Sequence, residues 1–249
     1  MTLQIGRAIS NGVRRSLTPV GIALMVLTAF YVGLFTSSVN TIIVNFLPPE
    51  VQQQSQIGLA LPISSTVAAV LALAALLFGM VIYLGAARAF TREGSDSGTV
   101  SGSLFTRRIG RALISAIGAN IIVSIATFIG FILLVIPGIF LMVSFAFVLF
   151  AIAVEDARAI ESLRRSWAIT RGNRWRLAAL LLLVGVVTGL LSSLGSVVSI
   201  VSPAAGTVAT LLTTAPLAIL SLSIVSDAYL QLRDEDSGVV EGEMAVDDS

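Results

Sequence analysis

The 249-residue chain has no cysteine, no histidine and no lysine, and all 15 of its basic residues are arginine. Without cysteine there is no disulfide framework, thiolate metal site or cysteine nucleophile. Without histidine or lysine, the commonest general base and the Schiff-base amine are missing as well. Carboxylates, hydroxyls and tyrosine are what remain for chemistry, so no enzymatic activity, catalytic residue, metal site or cofactor is expected. Charge is scarce too. Only 12% of residues are charged against 56% hydrophobic, and mean hydropathy is +0.97. A soluble domain carries roughly 25% charged residues. This chain cannot cover a globular surface with charge, so its solvent must be lipid. Membrane lipids are therefore the expected partners, with another membrane protein as a further one and no nucleic acid. Nothing in the sequence sets an oligomeric state.

Four uncharged runs dominate: Ser16–Pro49, Val51–Ala87, Ala112–Val154 and Leu177–Ser226. A spanning helix needs about 20 mostly apolar residues. The first two runs each fit one span, and the third and fourth each fit two. A turn is expected at Ile136-Pro137-Gly138 in the third run and across Ser199–Gly206 in the fourth, because proline and glycine end helices. The predicted spans are Val20–Val44, Pro62–Ala87, Ala112–Ile136, Gly138–Val154, Leu177–Ser199 and Ala204–Tyr229. A re-entrant hairpin at Pro137 is the rival for the third and fourth. Pro216 lies inside the sixth and should kink it. The fold class is thus all-α: a polytopic bundle of six transmembrane helices over residues 1–232.

Arginine sets the direction. Arg7, Arg14 and Arg15 precede the first span, and Arg88, Arg92, Arg107, Arg108 and Arg111 lie between the second and third. Arg158 to Arg176 lie between the fourth and fifth, and Arg233 follows the sixth. Six spans put all of these on one face, and the positive-inside rule makes that face, with both termini, cytoplasmic. The apolar run after Arg14-Arg15 exceeds the roughly 7–15 residues of a signal-peptide core, so the first helix is expected to be retained. Residues 233–249 are acidic and aperiodic and read as a disordered cytoplasmic tail.

Between the fourth and fifth spans, Glu161–Trp175 holds four arginines and both tryptophans. At 100° per residue, Ile160, Leu163 and Trp167 share one face, with Ala159 and Thr170 beside them. Arg158, Glu161 and Arg165 point away, and Ile169 falls on the polar side. Arg164 and Arg171 lie on the flank, where long stems cover apolar surface. This is an amphipathic helix along the membrane interface, with Trp167 and Trp175 in the aromatic belt. It is expected to anchor and orient the protein. The sharper alternative makes Arg158, Arg164, Arg165, Trp167, Arg171, Arg174, Trp175 and Arg176 a contact for an anionic lipid or partner, since the planar guanidinium matches phosphate.

The order Pro137-Gly138-Ile139-Phe140, an apolar helix and Glu155 is followed by Glu161-Ser162-Leu163-Arg164-Arg165-Ser166-Trp167. Thr170-Arg171-Gly172-Asn173-Arg174-Trp175-Arg176 comes next. This pattern resembles a superfamily of six-helix membrane proteins. The superfamily includes the YciC-like proteins and the membrane domain fused to some bacterial glycerophosphodiester phosphodiesterases. The resemblance is carried by Ile136–Arg176; elsewhere it rests on hydropathy. It implies a six-helix integral membrane fold with this segment as its shared core, and it implies no activity. The 249 residues contain no phosphodiesterase domain and none of the histidines such catalysis uses. Arginine-only basicity with an acidic tail would suit a haloarchaeal member.

Other polar features are few. Glu155, Asp227 and Arg88 lie near span ends on the arginine side and are expected to form structural ion pairs; a coupling-ion gate is the alternative. Asn120 is well inside the third span and is expected to hydrogen-bond a neighbouring helix. Asn40 and Asn45 could serve a polar substrate path. Gly185 and Gly189 form a GxxxG motif that Ser192 and Ser196 extend, a small-residue seam expected to pack within the bundle, with a second copy of the chain as the alternative. Functionally, this predicts a non-enzymatic membrane scaffold or partner of a lipid-linked system; the alternative is a permease or lipid-handling protein.

Overall fold

A long apolar segment in lipid can satisfy its own backbone only as a helix, because each N–H and C=O then finds a partner within the segment. The computed structural model describes residues 3–48, 50, 51, 57–92 and 108–247, without the side chains of 194, 196, 200, 201, 203, 204 and 235–247, and every regular element among them is helical. In chain order these are α1 (Ile5–Ser16), α2 (Pro19–Phe46), α3 (Ser65–Thr91), α4 (Ile109–Leu133) and α5 (Val135–Ser144). There follow α6 (Val148–Glu155), α7 (Ala159–Thr170), α8 (Arg174–Val201) and α9 (Pro203–Asp247). Among the described residues, six stretches are long and apolar enough to cross a membrane: α2, α3, α4, α5 with α6, α8, and Ala205–Asp234 of α9. The shortest has 21 residues, about 30 Å of helix. The third and fourth stretches are therefore both of spanning length, not short re-entrant arms. Phe30, Val70, Phe128, Ile136, Leu182 and Leu212 are 63% to 74% exposed, an apolar outer surface suited to lipid.

The chain divides into two compact units. The first comprises Met1–Val20, Leu84–Val184 and Leu220–Ser249, and the second Gly21–Tyr83 and Gly185–Ile219. Every arginine falls in the first; Arg107 lies outside the described residues.

Within the first unit, α1 buries Ala8, Gly12 and Ser16, one small residue per turn. A Cβ on Gly12 would come within 2.8 Å of the Ile224 backbone, so only glycine permits this approach. The third and fourth spans meet at Leu134, which is extended (φ −166°, ψ 151°), and not at Pro137-Gly138 as expected. Pro137 is instead the third residue of α5. There a missing N–H costs nothing, because first-turn donors have no acceptor within the helix. Gly138 serves packing: a Cβ on it would lie 2.6 Å from the Phe131 ring, and one on Gly130 would lie 3.0 Å from Gly138 Cα.

In the second unit, α2 holds the connection that follows it. The Asn40 amide donates to Leu59 O (3.2 Å), the Asn45 amide donates to Ile63 O (3.1 Å), and the Leu61 N–H donates to Thr41 Oγ1 (2.7 Å). These amides secure backbone where a substrate path was the alternative. The last two spans part at Ser202. Its Oγ accepts the Ala205 N–H at 3.3 Å, a serine cap followed by proline at the first helical position.

Among the described residues, the GxxxG seam makes no close contact within the chain. A Cβ on Gly185 or Gly189 would meet nothing within 4 Å, whereas one on Gly195 would come within 2.9 Å of Thr210 Cα. Ser192 is half-buried, and the Ser196 side chain lies outside the described residues. The one-residue link at Ser202 forces close approach only in the turns beside it, so the contact falls at Gly195 and not ten residues earlier. Beyond Asp234 the backbone continues α9 as helix to Asp247, where a disordered tail was expected; the side chains of 235–247 lie outside the described residues.

Replacing Gly12 by Leu is expected to lower the thermal midpoint in detergent, at an overpacking cost of about 1–3 kcal/mol. Gly110→Leu, where an added Cβ meets nothing within 4 Å, should leave the midpoint unchanged.

Candidate functional site

The fourth span is not continuous. It stops at Ser144, turns through residues 145–147 and resumes at Val148, although no proline or glycine stands there. Such a break frees backbone groups that lipid cannot satisfy. The partner comes from α7. Ser166 Oγ donates to Ser144 O at 2.8 Å and accepts the Phe147 N–H at 3.2 Å. One hydroxyl thus bridges both sides of the break. Thr170 donates to Ser166 O at 2.9 Å, and its oxygen lies 3.5 Å from Ser144 O. Ser162, Ser166 and Thr170 have no exposed surface.

The apolar side of α7 is therefore the outer one, as an interfacial helix requires. Its buried face is Ser162, Ser166, Ile169 and Thr170, whereas Ile160 is 63% and Trp167 38% exposed. Thr170, which the wheel places beside the apolar face, belongs instead to the buried one. At a membrane, lipid can take the apolar side, while the broken span needs the hydroxyls. Small side chains also let α7 approach closely, as they do on α1.

Above this staple lies an aromatic cluster. The Arg174 guanidinium sits 4.3 Å from the Trp167 ring centroid and 4.6 Å from that of Phe140. Phe140 and Trp167 meet edge to face at 5.6 Å. Arg174 is therefore a structural cation held against two π faces, an arrangement worth about 0.5–2 kcal/mol. Trp175 is 86% exposed, as a belt residue should be.

The three expected ionisable residues are all engaged within the first unit. Glu155 accepts from Arg165 Nε at 3.1 and 3.3 Å and from Tyr229 OH at 2.6 Å. Tyr229 is itself fully buried and stacks on Phe150 at 5.4 Å. Asp227 accepts from Asn11 (3.1 Å) and Gln231 (2.7 Å) and lies 3.8 Å from Arg15. Arg15 also donates to Phe90 O at 2.8 Å. Arg88 donates to Ala153 O at 2.7 Å and lies 3.9 Å from Asp156, which in turn faces Arg108 at 3.8 Å. Asp156 adopts a left-handed backbone (φ 55°). That turn ends α6 and carries the carboxylate between two arginines. Sequence reasoning named one member of each group and missed Arg15, Asn11, Asp156, Tyr229 and Gln231. The Asp227–Gln231 spacing of four on a helix was a usable signal; the long-range partners had none.

The candidate contact residues consequently divide into two sets. Arg165 and Arg174 are spent on Glu155 and on the aromatic pair. Arg158, Arg164 and Arg171 are exposed, as is Arg176 at the start of α8, and none makes an ion pair among the described residues.

Six spanning-length helices and a broken span stapled by a short amphipathic helix define an all-helical, multi-pass membrane protein. The chain belongs to the family described as a domain of unknown function (DUF7847), whose model matches residues 3–232. No curated protein and no solved structure matches it.

Ser166→Ala should strand the Ser144 carbonyl and the Phe147 N–H, costing about 1–3 kcal/mol in detergent unfolding measurements. Ser162→Ala should cost less, because the Ser162 hydroxyl donates only to Ala159 O of its own helix. Equal losses would show that bridging the break carries no special weight.

Proposed function

We propose that the protein is a non-enzymatic scaffold of the cell membrane, with both termini cytoplasmic, that docks anionic headgroups through the arginine face of α7 and the turn after it. The observation that carries this reading is the division just described. Carboxylates in the first unit are matched to Arg15, Arg88, Arg108 and Arg165. Arg158, Arg164, Arg171 and Arg176 are left exposed around one short helix. An amphipathic helix with apolar Ile160 and Trp167 outward can seat that side in lipid while its flanking arginines reach phosphate. The orientation follows from the same arginines by the positive-inside rule.

The permease reading draws less support. Asn40 and Asn45 secure a connection, and Asn120 points outward, so these amides do not converge on a path.

The test titrates the detergent-solubilised protein with phosphatidylglycerol and counts retained lipid by native mass spectrometry. Each surface arginine contributes about 1 kcal/mol near anionic lipid. The Arg158→Ala, Arg164→Ala, Arg171→Ala triple variant should therefore bind on the order of 100-fold more weakly. Arg165→Ala should lose stability in preference to lipid affinity. Unchanged retention in the triple variant would reject the reading.

A further inference from the structure

Every asparagine of the chain but one has a hydrogen-bond partner. Asn11 donates to Asp227, Asn40 to Leu59 O and Asn45 to Ile63 O, and Asn173 accepts the Leu3 N–H. Asn120 is exposed and makes no side-chain hydrogen bond among the described residues. It is the twelfth residue of the 25-residue α4, so it stands near the middle of the third span. Its expected bond to a neighbouring helix of the same chain is absent. Hydrocarbon at that depth offers an amide nothing, and an exposed carboxamide there needs protein.

Ser124 and Thr127 follow Asn120 at spacings of four and seven, on the same side of α4. Ser124 is exposed with no hydrogen bond among the described residues, and the enclosed Thr127 Oγ1 has no partner. Thr28 and Ser223 likewise hold enclosed hydroxyls without a partner among the described residues, but other helical hydroxyls bond to their own backbone. The hydroxyls of Ser38, Thr41, Ser144, Thr210 and Ser226 each donate to the carbonyl four residues back. Ile117 and Phe131, 39% and 43% exposed, flank the polar row above and below.

We propose that this face of α4 is a dimerisation surface that takes a second copy of the chain. A carboxamide both donates and accepts, so it is complementary to itself. A two-fold axis beside Asn120 places the same amide opposite and satisfies both groups at once. Ser124 is small enough for the two backbones to approach, and its hydroxyl adds a second donor across the axis. The surface is independent of the arginine face and stands or falls separately from it.

The natural absence of cysteine makes the test direct. Full-length Asn120→Cys and Ser124→Cys proteins in lipid vesicles should form disulfide-linked dimers on mild oxidation. Leu182→Cys, on the exposed apolar face of α8, should remain monomeric. In parallel, energy transfer between labelled full-length copies in vesicles should show Asn120→Leu weakening association about threefold to thirtyfold, the range for an interhelical hydrogen-bonded pair. Asn120→Gln, which keeps the carboxamide, should restore it. Cross-linking that favours Leu182→Cys would overturn the proposal, as would association untouched by Asn120→Leu. Copies that are monomeric throughout, or Asn120→Cys captured by a different membrane protein, would also count against it.

Discussion

A bilayer core supplies no hydrogen-bond partner, so any backbone group that leaves a helix must be met by the protein itself. The break in the fourth span exposes this constraint most sharply, and Ser166 answers it by bonding to both Ser144 O and Phe147 N–H. Much of the first unit follows from that single hydroxyl. It requires α7 to turn Ser162, Ser166 and Thr170 inward. This turns Ile160 and Trp167 outward and brings Trp167 within reach of Phe140 and Arg174. The same placement brings Arg165 to Glu155, which also receives Tyr229.

Small residues perform the corresponding task wherever backbones must approach. Gly12 admits Ile224, Gly130 admits Gly138, and Gly195 admits Thr210. Lipid tails are as apolar as leucine, so helices in a membrane gain little by hiding apolar surface from them and depend on close contact and polar pairing. That explains why α1 and α7 both bury a one-per-turn row of small side chains while large aliphatic residues face out.

Ion pairing follows the same economy. Arg15, Arg88, Arg108 and Arg165 are each matched to a carboxylate near a helix end; Arg158, Arg164, Arg171 and Arg176 stay exposed around α7, and Arg7, Arg92 and Arg111 are exposed elsewhere. Among the described residues, Glu161 on α7 accepts only the Arg158 backbone N–H, at 3.2 Å. The parts of Ile136–Arg176 each have a physical role in this arrangement. The proline-glycine stretch builds the α4–α5 hairpin, the two serines and the threonine face the broken span, and the aromatic-basic finish forms the Arg174 cluster.

The sequence by itself determined the solvent, the class and the number of spans. These depend on composition and on the length of apolar runs, which are local properties. It located the amphipathic helix and the acids and arginines near the span ends for the same reason. It could not show that Ser162, Ser166 and Thr170 face protein, because a helical wheel ranks sides by apolarity and not by the hydrogen bonds that a neighbouring break leaves open. Nor could it show the break at residues 145–147, which carries no proline or glycine, or the shift of the glycine contact from Gly185 to Gly195. The long-range partners of Glu155 and Asp227, Tyr229 and Arg15, come from residues far apart in the chain. Tertiary structure alone decided them, because hydrogen bonds in a membrane are allotted by proximity across helices and not by order along them.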